Sequence, residues 1–480
     1  MSEHVSLPEP AVIWTEEEGT GASRATVTRL ASVAAIGGFL FGYDTAVING
    51  AVSAIRDQYS ASSLWLGLTV SVALIGSAVG ALTTGRVADR YGRLRVMWLA
   101  SLLFVVSALG SGLATSLLNL AVFRFIGGIA VGAASVIAPA YIAEIAPARI
   151  RGRLGSLQQL AIVLGIFIAL LADFAIAAAA GGSEASWLLG LAAWRWMFLA
   201  MMVPAVLYGL LALTIPESPR YLVAKDRLND ARGVLQRVLG NIDLDEKVAG
   251  IRDTLRFERP PSMRDLRGPA LGLLPIVWVG IGLSVFQQFV GINVIFYYSS
   301  VLWQAVGFTE RNALLITVIT SVVNVITTLV AIATIDRFGR RPLLLIGSVG
   351  MAVTLGVLAV IFGTAPVSPK GEPQLSGAVG PIALVAANLY VFAFGMSWGP
   401  VVWVLLGEKF PNRIRAAALS VAAAAQWVAN WLVSTTFPSL ADIGLGLAYG
   451  IYTVCAVLSI FFVVRFVSET KGKVLEEMRL

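Results

Sequence analysis

Twelve long apolar runs are the feature that most constrains how this chain folds. Six precede a polar stretch and six follow it, and each is long enough to cross the hydrocarbon core of a bilayer. They cover residues 30–52, 64–85, 96–114, 117–145, 154–178, 196–215, 270–303, 313–335, 343–363, 381–407, 416–440 and 443–466. Because a helix satisfies its own backbone hydrogen bonds, the pattern predicts an all-α membrane protein with twelve transmembrane helices in two six-helix halves.

Composition excludes several classes of protein. Charged residues make up 13% of the chain, whereas a soluble chain carries about 25%. The single histidine and single cysteine exclude a Cys/His zinc site, a Ser-His-Asp triad and an internal disulfide. The net charge of +7 lies in short clusters between apolar runs. We therefore expect no nucleic-acid partner, no metal, no cofactor and no enzymatic activity.

Arginine-rich loops predict the orientation of the chain. We divide it into a polar tail at 1–26, a first half at 27–215, a linker with short helices at 216–269, a second half at 270–466 and a tail at 467–480. Basic residues cluster in alternate short loops, around residues 86–95, 149–153, 337–341 and 409–415. By the positive-inside rule these loops, the linker and both termini are cytoplasmic.

Motifs recur in the same order in both halves. Asp-Arg-Tyr-Gly-Arg at 89–93 matches Asp-Arg-Phe-Gly-Arg at 336–340, and residues 144–151 match residues 408–415 in a Glu, a Pro and two Arg. A weaker pair is Pro-Glu-Ser-Pro-Arg at 216–220 and Ser-Glu-Thr-Lys at 468–471. The repeats predict two homologous halves that face one another across a central path near the bilayer midplane.

These motifs place carboxylates beside guanidinium groups at helix ends, where paired hydrogen bonds form readily. We expect salt bridges that tie the two halves together on the cytoplasmic face when the path is open outward, and that break when it opens inward. The alternative is that these residues only set the membrane topology and form solvent-exposed ion pairs, each of which contributes at most about 1 kcal/mol to stability. The predicted gate comprises Arg86, Asp89, Arg90, Arg93, Glu144, Arg151, Glu217, Arg220, Asp336, Arg337, Arg340, Glu408, Arg415 and Glu469.

Two charges fall inside apolar runs, Asp44 in the first and Arg124 in the fourth. Each costs about 2.5 to 3.5 kcal/mol at mid-bilayer, so we expect the two to meet. Desolvation favours the neutral form of the carboxyl group, whereas the guanidinium favours the charged form, so its protonation can change, as a proton-coupling pair requires. The alternative is a static ion pair that holds the two helices together. Asp173 lies near the outer end of its run, and we expect it to be a wetted helix end.

The other polar residues inside the runs are mostly amides, which suit an uncharged, polyhydroxylated ligand. They are Gln158, Gln159, Gln287, Gln288, Asn293, Asn324, Gln426 and Asn430. For a single amide, hydrogen bonding between helices is an equal alternative. Aromatic residues in the same runs could stack on a sugar ring or close a gate, although plain packing is common. Gly127, Gly128 and Gly132 favour close helix packing.

Jointly these motifs resemble the sugar porter family of the major facilitator superfamily over about residues 28–477. They include Gly-Arg-Val-Ala-Asp-Arg-Tyr-Gly-Arg at 85–93, Gln-Gln-Phe-Val-Gly-Ile-Asn at 287–293 and Ser-Glu-Thr-Lys-Gly at 468–472. The resemblance implies that the sugar contacts Gln159, Gln287, Gln288, Asn293, Asn324, Trp403 and Gln426, with Phe41 beside it. It also implies that Tyr297 and Tyr298 form an extracellular gate, and that Asp44 and Arg124 couple proton and sugar movement.

Two departures from the family pattern narrow the range of expected substrates. Ile166 stands where bacterial xylose symporters have a second glutamine, as in glucose carriers, and Met201 replaces an acid of the sixth span. The resemblance therefore implies a multi-pass importer in the cell membrane that carries glucose or a similar hexose with a proton by alternating access. A passive uniporter, a xylose or inositol symporter and a sugar sensor are the alternatives. We expect the lipid bilayer, a small neutral sugar and a proton as its partners, and no obligatory protein partner.

Overall fold

The computed structural model describes residues 21–146, 148–239, 243–257, 263–366, 375, 378–411 and 414–470. The first half consists of α1 (Gly21–Ala46), α2 (Ile48–Gln58), α3 (Ser63–Tyr91), α4 (Arg93–Gly112), α5 (Leu117–Ile145), α6 (Ala148–Ala180), α7 (Ala193–Ala200) and α8 (Met202–Ala212). Three short helices follow, namely α9 (Pro219–Ala224), α10 (Leu228–Leu239) and α11 (Leu244–Phe257). The second half consists of α12 (Pro275–Phe289), α13 (Ile292–Ala305), α14 (Glu310–Phe338), α15 (Arg340–Thr364), α16 (Val379–Gly395), α17 (Trp398–Lys409), α18 (Arg415–Ile443) and α19 (Leu445–Phe466).

The described residues form twelve helical spans that are long and apolar enough to cross a membrane. This confirms the predicted fold class. Four of these spans are each built from two helices: α1 with α2, α7 with α8, α12 with α13, and α16 with α17. Gly291 lies at the break between α12 and α13 with φ +82°, a left-handed conformation that glycine adopts without steric cost. Hydropathy alone predicts a continuous run there.

Glycines bring α3 and α5 into close contact. A Cβ atom at Gly128 would overlap the carbonyl oxygen of Ala73, and one at Gly132 would overlap that of Ser77. In return, Gly76 and Gly80 of α3 face the backbone of α5 at Phe125 and Ile129. Small residues at such crossings let two backbones approach closely, which is how helices associate where no water drives them together.

The end of the bundle that holds Arg93 and Arg340 is called here the motif side, and the other end the far side. Hydrogen bonds join the two halves on the far side. Asn49 of α2 donates to the carbonyl of Phe296 in α13 at 3.0 Å, and Ser300 of α13 donates to the Asn49 carbonyl at 2.5 Å. Ser71 and Thr435 pair between α3 and α18 at 2.6 Å. The halves are thus closed against one another at the far side.

Candidate functional site

The buried charges Asp44 and Arg124 meet in the structure. Arg124 Nη1 lies 3.3 Å from Asp44 Oδ2, and the side chains of Arg124 and Asp44 are 2% and 1% exposed, respectively. The same nitrogen donates to the backbone carbonyl of Asp44 at 2.9 Å. Helix α1 therefore supplies two acceptors to one guanidinium nitrogen of α5, and this pairing offsets part of the cost of burying both charges.

The pair leaves hydrogen-bonding capacity unused. Asp44 Oδ1 and Arg124 Nε have no hydrogen-bond partner within the described residues. A small cavity adjoins them, and Thr45, Ser77 and Tyr297 are among its lining residues. A carboxylate with one free oxygen beside a cavity can accept a proton, and the guanidinium keeps its carbonyl partner when that happens. The arrangement is thus able to change its charge without losing every contact.

Gly127 makes room for Asp44. A Cβ atom at Gly127 would lie 3.0 Å from Asp44 Oδ1 and would overlap the hydroxyl oxygen of Ser107. The Ser107 hydroxyl is held by the Phe123 carbonyl at 2.9 Å, so it has little freedom to move away. Gly127 therefore shapes the Asp44 site, in addition to allowing close helix packing.

The amides at the break between α12 and α13 form a connected chain. Gln287 donates to the carbonyls of Trp398 and Gly399 at 2.8 and 3.1 Å, which ties α12 to the start of α17. Asn293 donates to Gln288 across the break. Part of the hydrogen-bonding capacity of these predicted sugar ligands is therefore used to hold the two helices together.

Other amides of the apolar runs, among them the predicted sugar ligands Gln159, Asn324 and Gln426, have polar atoms without partners within the described residues. Both amide atoms of the buried Gln158 and the oxygen of Gln426 have no partner among the described residues. The side-chain amides of Gln159 and Asn324 make no hydrogen bond within the described residues, while the backbone carbonyl of Asn324 accepts the hydroxyls of Thr327 and Thr328. Gln158 and Asn324 are buried and Gln159 and Gln426 are half-buried. Because an amide shielded from water without a partner is costly, these four side chains are suited to a ligand that both donates and accepts hydrogen bonds.

Aromatic side chains of the two halves approach each other near the amides. The rings of Phe41 on α1 and Trp427 on α18 have centroids 6.0 Å apart. Ile166 packs beside α1, where its backbone N–H lies against Gly42. Trp403 on α17 is 41% exposed, and within the described residues its ring makes no hydrogen bond to the amides. Phe41 and Trp427 therefore offer an apolar wall that spans the boundary between the halves.

The predicted gate tyrosines on α13 are buried and bonded within the second half. Tyr298 donates to the Ser434 carbonyl at 2.9 Å, while Asn430 donates to the Tyr297 hydroxyl at 3.5 Å. Tyr297 also lines the cavity beside Asp44. The contacts that close the far side come instead from Asn49 and Ser300. Our sequence reasoning missed Asn49, although an asparagine within the first apolar run was the available signal.

On the motif side, each half contains the same arginine–glutamate pair. Arg93 binds Glu144 through two nitrogens, at 3.0 and 2.8 Å. Arg340 binds Glu408 in the same manner, at 3.1 and 2.6 Å. Both guanidinium groups are 11% exposed at the side chain, so the pairs are protected from solvent. The repeated motifs of the sequence therefore fold into the same geometry twice.

A second acid caps the helix that begins at each of these arginines. Glu217 accepts the backbone N–H groups of Arg93 and Leu94 at 3.0 and 3.2 Å. Glu469 accepts those of Arg340 and Arg341, both at 3.0 Å. A carboxylate at a helix N-terminus satisfies donors that have no partner within the helix and complements the helix dipole. The weaker sequence repeat thus marks an equivalent structural position.

The described arginine–glutamate pairs of the motif side each lie within one half. We expected bridges between the halves in the arrangement that is open on the far side, whereas the far side is closed in this structure, so the gate between the halves stays a prediction. Of the other predicted gate residues, Asp89 pairs with Arg93 at 3.2 Å and is 75% exposed at the side chain. Arg86, Arg90 and Arg337 are exposed and Arg220 is half-buried. The side chains of Arg151, Asp336 and Arg415 lie outside the described residues.

Asp173 on α6 is fully buried, so the expectation of a wetted helix end is wrong. Its Oδ2 accepts the backbone N–H of Gly50 at 3.2 Å, and its Oδ1 has no hydrogen-bond partner among the described residues. The sequence could not reveal this burial, because it depends on how α2 packs against α6 and brings the N–H of Gly50 to the Asp173 carboxylate.

Acidic residues of both halves also lie together at the surface of the far side. A hydrogen bond with Asp57 raises the pKa of Glu184, and desolvation and the nearby negative charges of Asp57 and Glu310 act in the same direction. Glu310 of the second half accepts the backbone N–H of Ser183 at 2.9 Å. The far-side closure therefore brings carboxylates together.

Comparisons with known proteins identify the family of the chain. The model of the family described as "Sugar (and other) transporter" matches residues 30–480. The chain is 60% identical to the glucose transport protein of Synechocystis sp. over 454 residues, which cover 94% of this chain and 97% of the relative. It is 40% identical to the D-xylose-proton symporter of Escherichia coli strain K12, over 93% of this chain and 94% of the relative. The inward-open structure of the E. coli xylose transporter superposes with a TM-score of 0.79 at 38% identity, covering 94% of this chain and 99% of that one.

Proposed function

Because the chain belongs to the sugar transporter family, we propose that it is a cell-membrane importer that moves a neutral hexose, such as glucose, together with a proton. The observation that carries the proposal is the buried Asp44–Arg124 pair, which has a free carboxylate oxygen beside a cavity. A pair that was only structural would be expected to satisfy all of its polar atoms. In this proposal the motif side and both termini face the cytoplasm.

The mechanism follows from the two ends of the bundle. With the far side open, Asp44 takes a proton from the outer water and its hold on Arg124 weakens. Sugar then bridges Gln159 of the first half and the amides of α12, α13 and α18 in the second. The halves close over it through Asn49 and Ser300, and the motif side opens. A ligand shifts such an equilibrium only by binding one arrangement more tightly, so the proton and the sugar each favour closure.

The driving force is sufficient for accumulation. One proton that crosses a membrane potential of about 100 mV supplies roughly 2.3 kcal/mol, which corresponds to about 50-fold accumulation of sugar. A single coupling carboxylate therefore supports uphill uptake without any other energy source.

Glucose is the substrate that the relatives and the side chains at Ile166 and the amides favour. The relative at 60% identity is described as a glucose transport protein, and that at 40% identity as a D-xylose-proton symporter. The apolar Ile166 gives no hydrogen bond from its side chain, which agrees with the departure from the xylose pattern noted in the sequence. The side-chain amides of Gln158, Gln159 and Asn324 and the amide oxygen of Gln426 make no hydrogen bond within the described residues, and such groups suit the hydroxyl donors and acceptors of a neutral sugar.

A passive uniporter for the same sugar is the second candidate. The hydrogen bond from Arg124 to the Asp44 carbonyl favours it, because that bond holds the guanidinium in place whether or not the carboxylate is charged. In a uniporter the pair would be a fixed link between α1 and α5.

Replacement of Asp44 by Asn separates the two functions. We expect Asp44→Asn to lose uphill sugar uptake, because the amide cannot carry a proton, while sugar exchange between equilibrated compartments continues. Both activities are measured with labelled glucose in liposomes. Asp230→Asn is the control, since Asp230 is an exposed acid of α10 outside the bundle and its replacement should leave both activities unchanged. Uphill uptake that survives in Asp44→Asn would establish the uniporter.

A further inference from the structure

A second buried carboxyl group lies close to the far-side closure. Asp173 is 0% exposed, and it stands on α6 seven residues before the helix ends at Ala180. One oxygen accepts the N–H of Gly50, and the other has no hydrogen-bond partner within the described residues. No guanidinium or ammonium group of the described chain pairs with it. Asp173 thus differs from Asp44, which faces Arg124.

The contact with Gly50 links Asp173 directly to the closure. Gly50 follows Asn49, whose side chain donates to Phe296 and accepts the N–H of Ser300 at 3.3 Å. A Cβ atom at Gly50 would lie 2.6 Å from the Asp173 Cβ and 2.7 Å from its Oδ2, so glycine is required for the carboxyl group to reach the backbone. Asp173 therefore holds the turn of α2 that binds the second half.

The surroundings provide no charge compensation. On α1, Tyr43 lies close enough to interact with the charge of Asp173, and Asp44 is engaged by Arg124 of α5. On α7, Arg195 donates to the carbonyls of Gly112 and Ala114 instead. The charged groups at the ends of the packed helices also have other partners. Glu310 of α14 accepts the N–H of Ser183, and Arg56 of α2 pairs with Asp442. A carboxylate enclosed in this way without a cation costs several kcal/mol.

We propose that Asp173 is a second proton-binding group, which takes a proton from the far-side water before the halves close there and returns it to the same water when they reopen. This inference rests on the proposed proton-coupled function. The proton binds at Oδ1, Oδ2 keeps its bond to Gly50, and no bond is broken. Since the proton leaves on the side from which it came, Asp173 controls closure and does not add to the number of protons transported. Lower pH on the far side then favours the closed arrangement.

The test measures the far-side distance between spin labels at different pH values. Cys455, the only cysteine, is first replaced by Ser. Glu184 is replaced by Gln, because its interaction with Asp57 and Glu310 would add a second pH-dependent carboxyl group at the surface of the far side. Labels are placed at Ser60→Cys and Arg311→Cys, which are exposed positions in opposite halves at the far side. In this parent we expect the closed fraction to rise as the pH falls through the range in which carboxyl groups titrate.

Asp173→Asn is the decisive variant, because it keeps the shape of the side chain and an acceptor for Gly50 but binds no proton. The comparison is made in an Asp44→Asn background, because protonation of Asp44 also favours closure. In that background the parent should keep a pH-dependent shift, and Asp173→Asn should stay largely closed and lose it. Asp173→Ser, a smaller neutral variant, should also lose the shift. A shift that persists when both acids are replaced by Asn, or that is absent when only Asp44 is replaced, would overturn the proposal. Wild-type liposomes that show no proton movement with sugar would refute the coupled function, and the distance measurement would still decide the role of Asp173.

Discussion

Single carboxylates decide how the motif side is built. Glu217 and Glu469 each accept two N–H groups at the start of a helix, although only their short flanking motifs mark them in the sequence. Sequence reasoning identified these acids from the repeat but assigned them to bridges between the halves. It could not distinguish a helix cap from a gate, because both require an acid near an arginine.

Neutral substitution of either cap should destabilise the protein by a similar amount. Glu217→Gln and Glu469→Gln each leave one of the two N–H groups without an acceptor and give the other a neutral one, which costs about 1 kcal/mol at a helix N-terminus. We expect both to lower the melting temperature in detergent. Asp89→Asn, which affects only an exposed pair, should leave it nearly unchanged. Unequal effects of the two Glu changes would contradict the structural equivalence of the halves.

At the scale of helices, the spans were predictable and their breaks were not. Each predicted run overlaps one described span, since hydropathy and length are enough to identify a membrane helix. The breaks at Val47, Met201, Gly291 and Ser397 lie within apolar runs, so the hydropathy of the sequence does not mark them. The contact of α2 with α13 and that of α2 with Asp173 of α6 depend on how the helices pack, which hydropathy does not reveal.

Gly291→Ala tests the break in the seventh span. A left-handed conformation costs a residue with a Cβ atom roughly 1–2 kcal/mol, and that atom would also lie 2.7 Å from the ring of Tyr452. We expect lower thermal stability and slower sugar exchange, because the chain of Gln288 and Asn293 spans the break. Gly450→Ala is the control, as no atom lies within 4 Å of its added Cβ. Wild-type stability and exchange in Gly291→Ala would show that the break is dispensable.

For the whole molecule, the sequence repeat predicted two equivalent halves, and the Arg93–Glu144 and Arg340–Glu408 pairs repeat accordingly. Which contacts join the halves could not be predicted, because one sequence must support every conformation of the transport cycle. The single conformation described here is closed on the far side, through Asn49 with Phe296 and Ser300.

Linking the halves at the far side should stop transport. Ser53 and Gln304 lie in opposite halves with their polar atoms 3.3 Å apart. In a Cys455→Ser background, we expect a short thiol crosslink between Ser53→Cys and Gln304→Cys to abolish sugar uptake, and cleavage of the link to restore it. A crosslink between Ser101→Cys and Ala205→Cys, which are in contact within the first half, should have little effect. Full uptake by the protein crosslinked between halves would argue against alternating access.

The central claim is that sugar and proton move together through one chain, and sugar-driven proton movement tests it most directly. Purified protein is placed in liposomes that hold a pH-sensitive dye, no proton gradient is imposed, and glucose is added outside. The account predicts that the interior acidifies as sugar enters, and that Asp44→Asn admits sugar without this change. Sugar entry through the wild-type protein at constant internal pH would contradict it.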